Sequence, residues 1–265
     1  MSERRRSPSS RRAPRPWVLA LALAGLLLGL GLGASSAQAG QVQVAVAANF
    51  TEPAKAIAAA FAAKTGDQAL LSFGASGQFY TQISQGAPFE VLLSADADRP
   101  RHAEQAGLGV AGTRFTYAVG QLVLWSKTPG LVDAGGAVLA KGGFQHLSIA
   151  DPTTAPYGLA AVETLNKLGI SAVLSPKIVK GSSITQAYQF VQTGAAELGF
   201  VALSQVIDDP SGSRWLVPAA DHAPIEQQAI LLTMGAKNPA AQAFLAFLKG
   251  PEAVAIIRRY GYAVP

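Results

Sequence analysis

The sequence predicts an α/β fold with mostly parallel sheets, on three observations. Short β-like runs alternate with amphipathic helical stretches from Gly40 to the end of the chain, the pattern of strand–helix–strand units. Several hand-overs from strand to helix pass through small residues and neutral hydrogen-bonding side chains. No segment repeats at a fixed period, which sets aside solenoids and propellers. With 49% hydrophobic residues, and 27 Gly and 16 Pro among 265 residues, the chain lies below the Gly and Pro content of low-complexity sequences. It has apolar material for one or two cores.

Taken in order, Val42 to Ala48 reads as a strand, and Asn49-Phe50-Thr51-Glu52-Pro53 offers helix caps and a first-turn proline. A helix follows to about Lys64, with Ile57, Ala60 and Phe61 on one face. Leu70 to Phe73 is the next strand, and Gly74-Ala75-Ser76-Gly77 turns it into a helix ending at Gly86. Phe89 to Leu93 is a third strand with Asp96 to Ala106 helical behind it, and Phe115 to Trp125 is a long apolar run interrupted by Gly120. The second half repeats the theme: strand His146 to Ala150, helix Tyr157 to Lys167, strand Lys177 to Lys180, helix Ser183 to Gln192, strand Leu198 to Leu203. Ile225 to Thr233 is strand-like, and helices Pro239 to Leu248 and Pro251 to Tyr260 close the chain.

The formal charge of +5 is a property of one segment. Six of the 21 basic residues (Arg4, Arg5, Arg6, Arg11, Arg12 and Arg15) and one of the 16 acidic residues (Glu3) lie in 1–39, which leaves 15 of each for the remainder. A neutral body gives no reason to expect nucleic acid as a partner. The arginines precede an apolar run from Trp17 to Gly33, and small residues lead to Ala37-Gln38-Ala39. A basic region, an apolar core and an A-x-A site predict a secretory signal peptide over 1–39, cleaved after Ala39. Ser10-Arg11-Arg12 suggests a twin-arginine signal, but Pro14 and Pro16 depart from that pattern and favour the general secretory route. The chain has no Cys, which removes disulfides, thiolate metal sites, a cysteine nucleophile and a lipoprotein anchor. A free exported protein of this size is expected in a periplasm.

Four strand-to-helix junctions share a chemistry. Ala47-Ala48-Asn49-Phe50-Thr51, Phe73-Gly74-Ala75-Ser76-Gly77 and Lys180-Gly181-Ser182-Ser183-Ile184-Thr185 combine small residues with neutral donors, and Asp151 to Gly158 adds Tyr157. In parallel α/β sheets ligands bind beyond the carboxyl ends of strands, where the first turn of a helix presents free N–H groups to an anion. The residues alone leave open whether each Ser, Thr or Asn faces a ligand or caps its own helix. Other motifs are weaker. Gly107 to Gly112 matches G-x-G-x-x-G but follows a helix and enters a β-like run, the reverse of the dinucleotide-binding context. Asp96, Asp98, His102 and Glu104 have the spacing of a solvated helix face rather than of a metal site. Neither Ser76 nor Ser183 has a recognisable base nearby in sequence, and no catalytic constellation is visible.

Taken together, from about Val42 to Val264, the chain resembles the periplasmic molybdate-binding proteins, the capture subunits of molybdate ABC importers. The likeness is carried by Val46 to Thr51, Ser72 to Gly77, Gln85-Gly86-Ala87-Pro88-Phe89-Glu90-Val91, Ala150-Asp151-Pro152 through Tyr157-Gly158, and Leu174-Ser175-Pro176-Lys177. Phe247-Leu248-Lys249-Gly250-Pro251 and Arg259-Tyr260-Gly261-Tyr262 complete it. The resemblance implies a two-lobed fold of the type II periplasmic-binding-protein class, each lobe a mostly parallel sheet flanked by helices, with the ligand cleft between them. One lobe would comprise 40–118 and 227–265 and the other 119–226, with hinges near Phe115 to Gln121 and Ile225 to Gln228.

It further implies a binding protein and no enzyme, holding molybdate or tungstate through Ala48, Asn49, Ser76, Tyr157 and Ile184, the last through its backbone N–H. Molybdenum would enter only as the oxyanion, with no direct protein–metal ligand and no cofactor. The partners would be a membrane permease with its ATPase subunit, and the protein itself a monomer. Ala202 stands where some relatives have a further tyrosine. The implied ligand fits the junction chemistry: molybdate is fully deprotonated and accepts hydrogen bonds only, whereas phosphate at neutral pH carries a proton that a donor-only cage leaves unpaired. A binding protein for another ion, such as sulfate or a transition metal, and a secreted enzyme of related fold are the alternatives.

Overall fold

The computed structural model describes residues 39–265, so the signal segment expected over 1–39 lies, but for its last residue, outside the described residues. The strands are β1 (Gln41–Ala47), β2 (Gln68–Gly74), β3 (Val91–Leu93), β4 (Phe115–Gly120), β5 (Leu122–Ser126), β6 (Leu147–Ala150), β7 (Ile178–Gly181), β8 (Leu198–Ala202), β9 (Ser213–Leu216) and β10 (Ile225–Leu231). The helices are α1 (Thr51–Thr65), α2 (Ser76–Ser84), α3 (Asp98–Gln105), α4 (Val138–Lys141), α5 (Pro156–Lys167), α6 (Ser171–Leu174), α7 (Ile184–Gln192), α8 (Leu203–Val206), α9 (Pro239–Leu248) and α10 (Pro251–Arg259).

The strands form two five-stranded sheets, ordered β2-β1-β3-β10-β4 and β7-β6-β8-β5-β9. In the first, β1 pairs in parallel with β2 and β3, and β10 runs antiparallel between β3 and β4. In the second, β6 pairs in parallel with β7 and β8, and β5 runs antiparallel between β8 and β9. Each sheet is therefore mixed, with a single strand reversed. The reversed strands are the two that enter a sheet directly from the other one.

The apolar run Phe115–Trp125 divides at Gly120-Gln121, and its halves join different sheets. The chain returns between Leu216 and Ile225. The lobe boundaries expected at 118/119 and 226/227 thus fall inside β4 and β10, because both strands complete ladders of the first sheet. The sequence reading missed β9, whose Ser-Arg-Trp-Leu stretch looks like loop. It is an edge strand that buries Trp215 against Gly136.

The first lobe's core holds Val44, Phe50, Ile57, Phe61, Leu93, Phe244 and Leu248. Phe61 packs edge-on against Phe244 and Phe247, with ring centroids 5.3 and 5.7 Å apart. The second lobe's core is built on Leu124, Ile149, Leu165, Phe200 and Trp215, and Ala47, Ala48, Ala75 and Ala95 of the first lobe pack into it. At the ends of β1 and β2 and after β3, side chains no larger than a methyl group make the apolar contact across the cleft, which lets the backbones come close there; Ile225 of β10 joins the same cluster. β1, β2, β6 and β7 end at Ala47, Gly74, Ala150 and Gly181, and each leads within a few residues into a helix start. Helix α5 lies so near β6 that a Cβ on Gly158 would sit 2.2 Å from the Ala150 carbonyl oxygen. Gly158→Ala should therefore push α5 off the sheet and cost about 1–3 kcal/mol, read as a lower urea midpoint at unchanged slope.

Candidate functional site

Ala48, Asn49, Ser76, Tyr157 and Ile184 come from four separate junctions and wall one small cavity, together with Ala47, Gly74, Ala75, Ala95, Ala155 and Pro156. The space open to the centre of a water molecule is about 10 Å³, room for one small group and not for a sugar or peptide. All five residues are buried, and no charged side chain lines the cavity.

Helix starts converge on this point. Ala48–Phe50 form a 3₁₀ turn that continues into α1, Ser76 opens α2, Tyr157 follows the N1 proline of α5, and Ile184 opens α7. N–H groups in a first turn have no acceptor within the helix. Those of Asn49, Ser76, Tyr157 and Ile184 donate to no other protein acceptor among the described residues. Their aligned dipoles make the cavity electropositive without a cation.

The side chains divide between capping and the cavity. Ser183 is a cap: its Oγ accepts the Gln186 N–H at 3.3 Å. Ser76 caps nothing. Its Oγ accepts the Ala95 N–H at 2.9 Å, which leaves the hydroxyl proton for another acceptor. Asn49 does not cap α1. Its Nδ2 donates to Gln227 Oε1 at 2.9 Å and to Tyr262 Oη at 3.0 Å, so both carboxamide protons are used inside the protein and its backbone N–H is what remains to donate. The Asn49 carbonyl accepts from Ser204 Oγ and from Tyr262 Oη, both at 2.8 Å. Tyr157 Oη accepts Gln227 Nε2 at 3.3 Å and lies where a Cβ on Gly120 would be 2.1 Å away.

Behind the cavity, then, stands a buried network of Asn49, Tyr117, Tyr157, Ser204, Gln227 and Tyr262. The sequence reading missed its last members. The available signal was Gln227-Gln228, two adjacent amides in an apolar strand. Burial holds all three phenols up: Tyr117 and Tyr157 well above the usual tyrosine value and Tyr262 at about 12. None carries charge at neutral pH.

The two lobes also meet directly around the cavity. Gly77 N–H donates to the Thr154 carbonyl at 2.9 Å, Arg99 Nη2 to the Thr153 carbonyl at 3.1 Å, and Thr185 Oγ1 to the Ala48 carbonyl at 3.4 Å. The acidic residues near α3 are engaged by arginines: Asp96 with Arg99, Asp98 with Arg101, and Glu104 with Arg114. Asp151 accepts from both the N–H and the hydroxyl of Thr153, and these bonds hold its carboxyl below the usual range.

This architecture has known counterparts. The family model for bacterial extracellular solute-binding proteins matches residues 42–263. The chain belongs to this family. It is 59% identical over 216 residues to the molybdate-binding protein ModA of Rhodobacter capsulatus, covering 82% of this chain and 85% of that one. It is 57% identical over 221 residues to ModA of Azotobacter vinelandii, covering 82% and 88%. The solved structure of the Azotobacter vinelandii periplasmic molybdate-binding protein superposes with a TM-score of 0.82 at 44% identity, over 84% of this chain and 99% of that one.

The tyrosine network gives this family member a specific alkaline limit. A phenol whose folded pKa is raised adds stability that is fully present below the unfolded value of 10.0 and is lost as pH rises through the folded value. Thermal midpoints should therefore be insensitive to these phenols up to pH 10 and fall above it, with the Tyr262 contribution lost between pH 10 and about 12. Tyr262→Phe should lower the plateau and flatten that fall, as followed by circular dichroism.

Proposed function

We propose that this protein captures molybdate, and tungstate with it, in the periplasm and presents it to an ABC importer. The observation that carries the reading is the convergence of four helix-start N–H groups and the Ser76 hydroxyl on a cavity lined by no charge. Such a site offers protons and no acceptor that would welcome one, so it suits a tetrahedral dianion with every oxygen free to accept. The identity to two molybdate-binding relatives supports the choice among such ions.

Molybdenum is held in this reading as its oxyanion, through hydrogen bonds from Ala48, Asn49, Ser76, Tyr157 and Ile184, with no protein–metal bond and no cofactor. No bond is made or broken. The lobes, 40–120 with 225–265 and 121–224, close on the ligand by bending at Gln121 and at the return into β10. Ligand contacts from both sides favour the closed state, which a permease can distinguish from the open one. In the closed arrangement Gly77 lies against Thr154, where a Cβ would be 3.0 Å from Thr154 Cα. The protein acts as a monomer, exported with cleavage after Ala39, and its partners are a membrane permease and the attached ATPase subunit.

Calorimetric titration of the exported protein with molybdate, tungstate, sulfate and phosphate tests the reading. Tight binding of molybdate and tungstate with weak or absent binding of phosphate is the expected result. Binding of sulfate alone, or of none of the four, overturns it. Ser76→Ala removes one hydrogen bond to a charged ligand, about 1.5–3 kcal/mol, and should weaken molybdate binding roughly 10- to 150-fold. Gly77→Val should hold the lobes apart, seen as weaker binding and as loss of the ligand-induced compaction in small-angle scattering.

A further inference from the structure

Strand β10 reads Ile-Glu-Gln-Gln-Ala-Ile-Leu, and regular alternation would send Gln227 and Gln228 to opposite faces. Its register against β4 slips between these two residues, where Tyr117 is the extra residue of β4 left without a partner in the ladder. The bulge therefore belongs to β4, and bulges gather beside functional sites. Gln228 serves the fold, accepting from Arg114 Nη1 at 2.7 Å and donating to Thr116 Oγ1 at 3.1 Å. Gln227 does something else. It is wholly buried, its Oε1 accepts from Asn49 Nδ2 at 2.9 Å and from Tyr117 Oη at 3.0 Å, and its Nε2 donates to Tyr157 Oη at 3.3 Å. Asn49 belongs to the first lobe's half of the cavity and Tyr157 to the second lobe's half, while Gln227 itself does not line the cavity.

We propose that Gln227 is a positioning residue for oxyanion recognition: its carboxamide fixes Asn49 and Tyr157 in one hydrogen-bond register, so that the donors of both lobes fit a single tetrahedral ion. The inference rests on the oxyanion reading above and adds to it a residue that sets affinity without touching the ligand. The chemistry of the position asks for an amide. One end must accept from two donors and the other must donate to a phenol oxygen, which a carboxamide does at every pH and a carboxyl group only when protonated. Methionine fills the same space and leaves an Asn49 N–H buried without a partner. Glutamate accepts at both ends, so Tyr157 must turn its proton toward it, and when ionised it adds a negative charge beside an anion site. A buried carboxylate titrates above its usual range; its phenol neighbours Tyr117, Tyr157 and Tyr262 stay neutral at that pH, and the nearby Asp96, which acts on Tyr117, is paired with Arg99.

The test is calorimetric titration of the exported protein and its variants with sodium molybdate. Gln227→Met should raise Kd about tenfold or more. A residue that served only the fold would lower the ligand-free melting midpoint and leave Kd within about twofold. Gln227→Glu should bind about tenfold more weakly near pH 9 than near pH 6.5, where protonation restores a donor, while the unchanged protein shows the same Kd at both. If Gln227→Met does not fold, as read by circular dichroism, Tyr157→Phe decides, because it removes only the hydroxyl that Gln227 meets and should raise Kd severalfold. A parental Kd in Gln227→Met or Tyr157→Phe, or a pH-independent parental Kd in Gln227→Glu, overturns the inference while leaving the oxyanion reading intact. Failure of the unchanged protein to bind molybdate overturns both.

Discussion

A first-turn N–H group has no partner inside its own helix, and burying it without one is unfavourable by about 1–3 kcal/mol. The rest of this structure follows from placing four such groups around one enclosed cavity. β1, β2, β6 and β7 all end toward that point, and each is followed by a helix start. The two sheets supply two junctions apiece, so a complete ring of donors exists only where the lobes face one another. In the proposed reading an acceptor-only guest would satisfy all of the donors together, which would couple occupancy of the cavity to the relative position of the lobes.

Bringing helix starts that close requires backbone without bulk. Around the cavity, Ala47, Ala48, Ala75 and Ala95 form the first lobe's contribution to the shared apolar contact. Gly77, Gly120 and Gly158 sit where a single methyl group would meet Thr154, Tyr157 or the Ala150 carbonyl. The β-bulge at Tyr117 and the Gly120 gap serve one network: Tyr117 Oη donates to Gln227 Oε1, and the absence of a Cβ on Gly120 leaves room for the Tyr157 phenol. Packing, strand register and the hydrogen-bond network are thus one arrangement seen at three scales.

The electrostatics avoid formal charge at the centre. Desolvated ions are expensive unless paired, and a buried arginine or lysine would attract any anion with little regard to its protonation. Oriented dipoles and hydroxyls would instead discriminate by whether the guest carries a proton. The surrounding phenols remain neutral because burial raises them. Carboxylates near the cleft, such as Asp96, are neutralised by an arginine on the same helix segment.

The sequence by itself determined the α/β alternation, most element positions and the four junctions, because strand and helix periodicity and the small-residue turns are local properties. Ala48, Asn49, Ser76, Tyr157 and Ile184 were legible as junction residues, and the resemblance grouped them. What only the tertiary structure decided was how each acts and what supports it. Whether Asn49 caps a helix or ties into Gln227 and Tyr262 depends on partners 178 and 213 residues away, and no local pattern encodes such a distance. Gln227 stood in the sequence as half of an odd polar pair, but its partners Asn49, Tyr117 and Tyr157 come from three other segments of the chain. The division of Phe115–Trp125 between two sheets has the same origin: local chemistry marks Gly120 as a break, and only the ladders on either side show that the chain there passes from one lobe to the other.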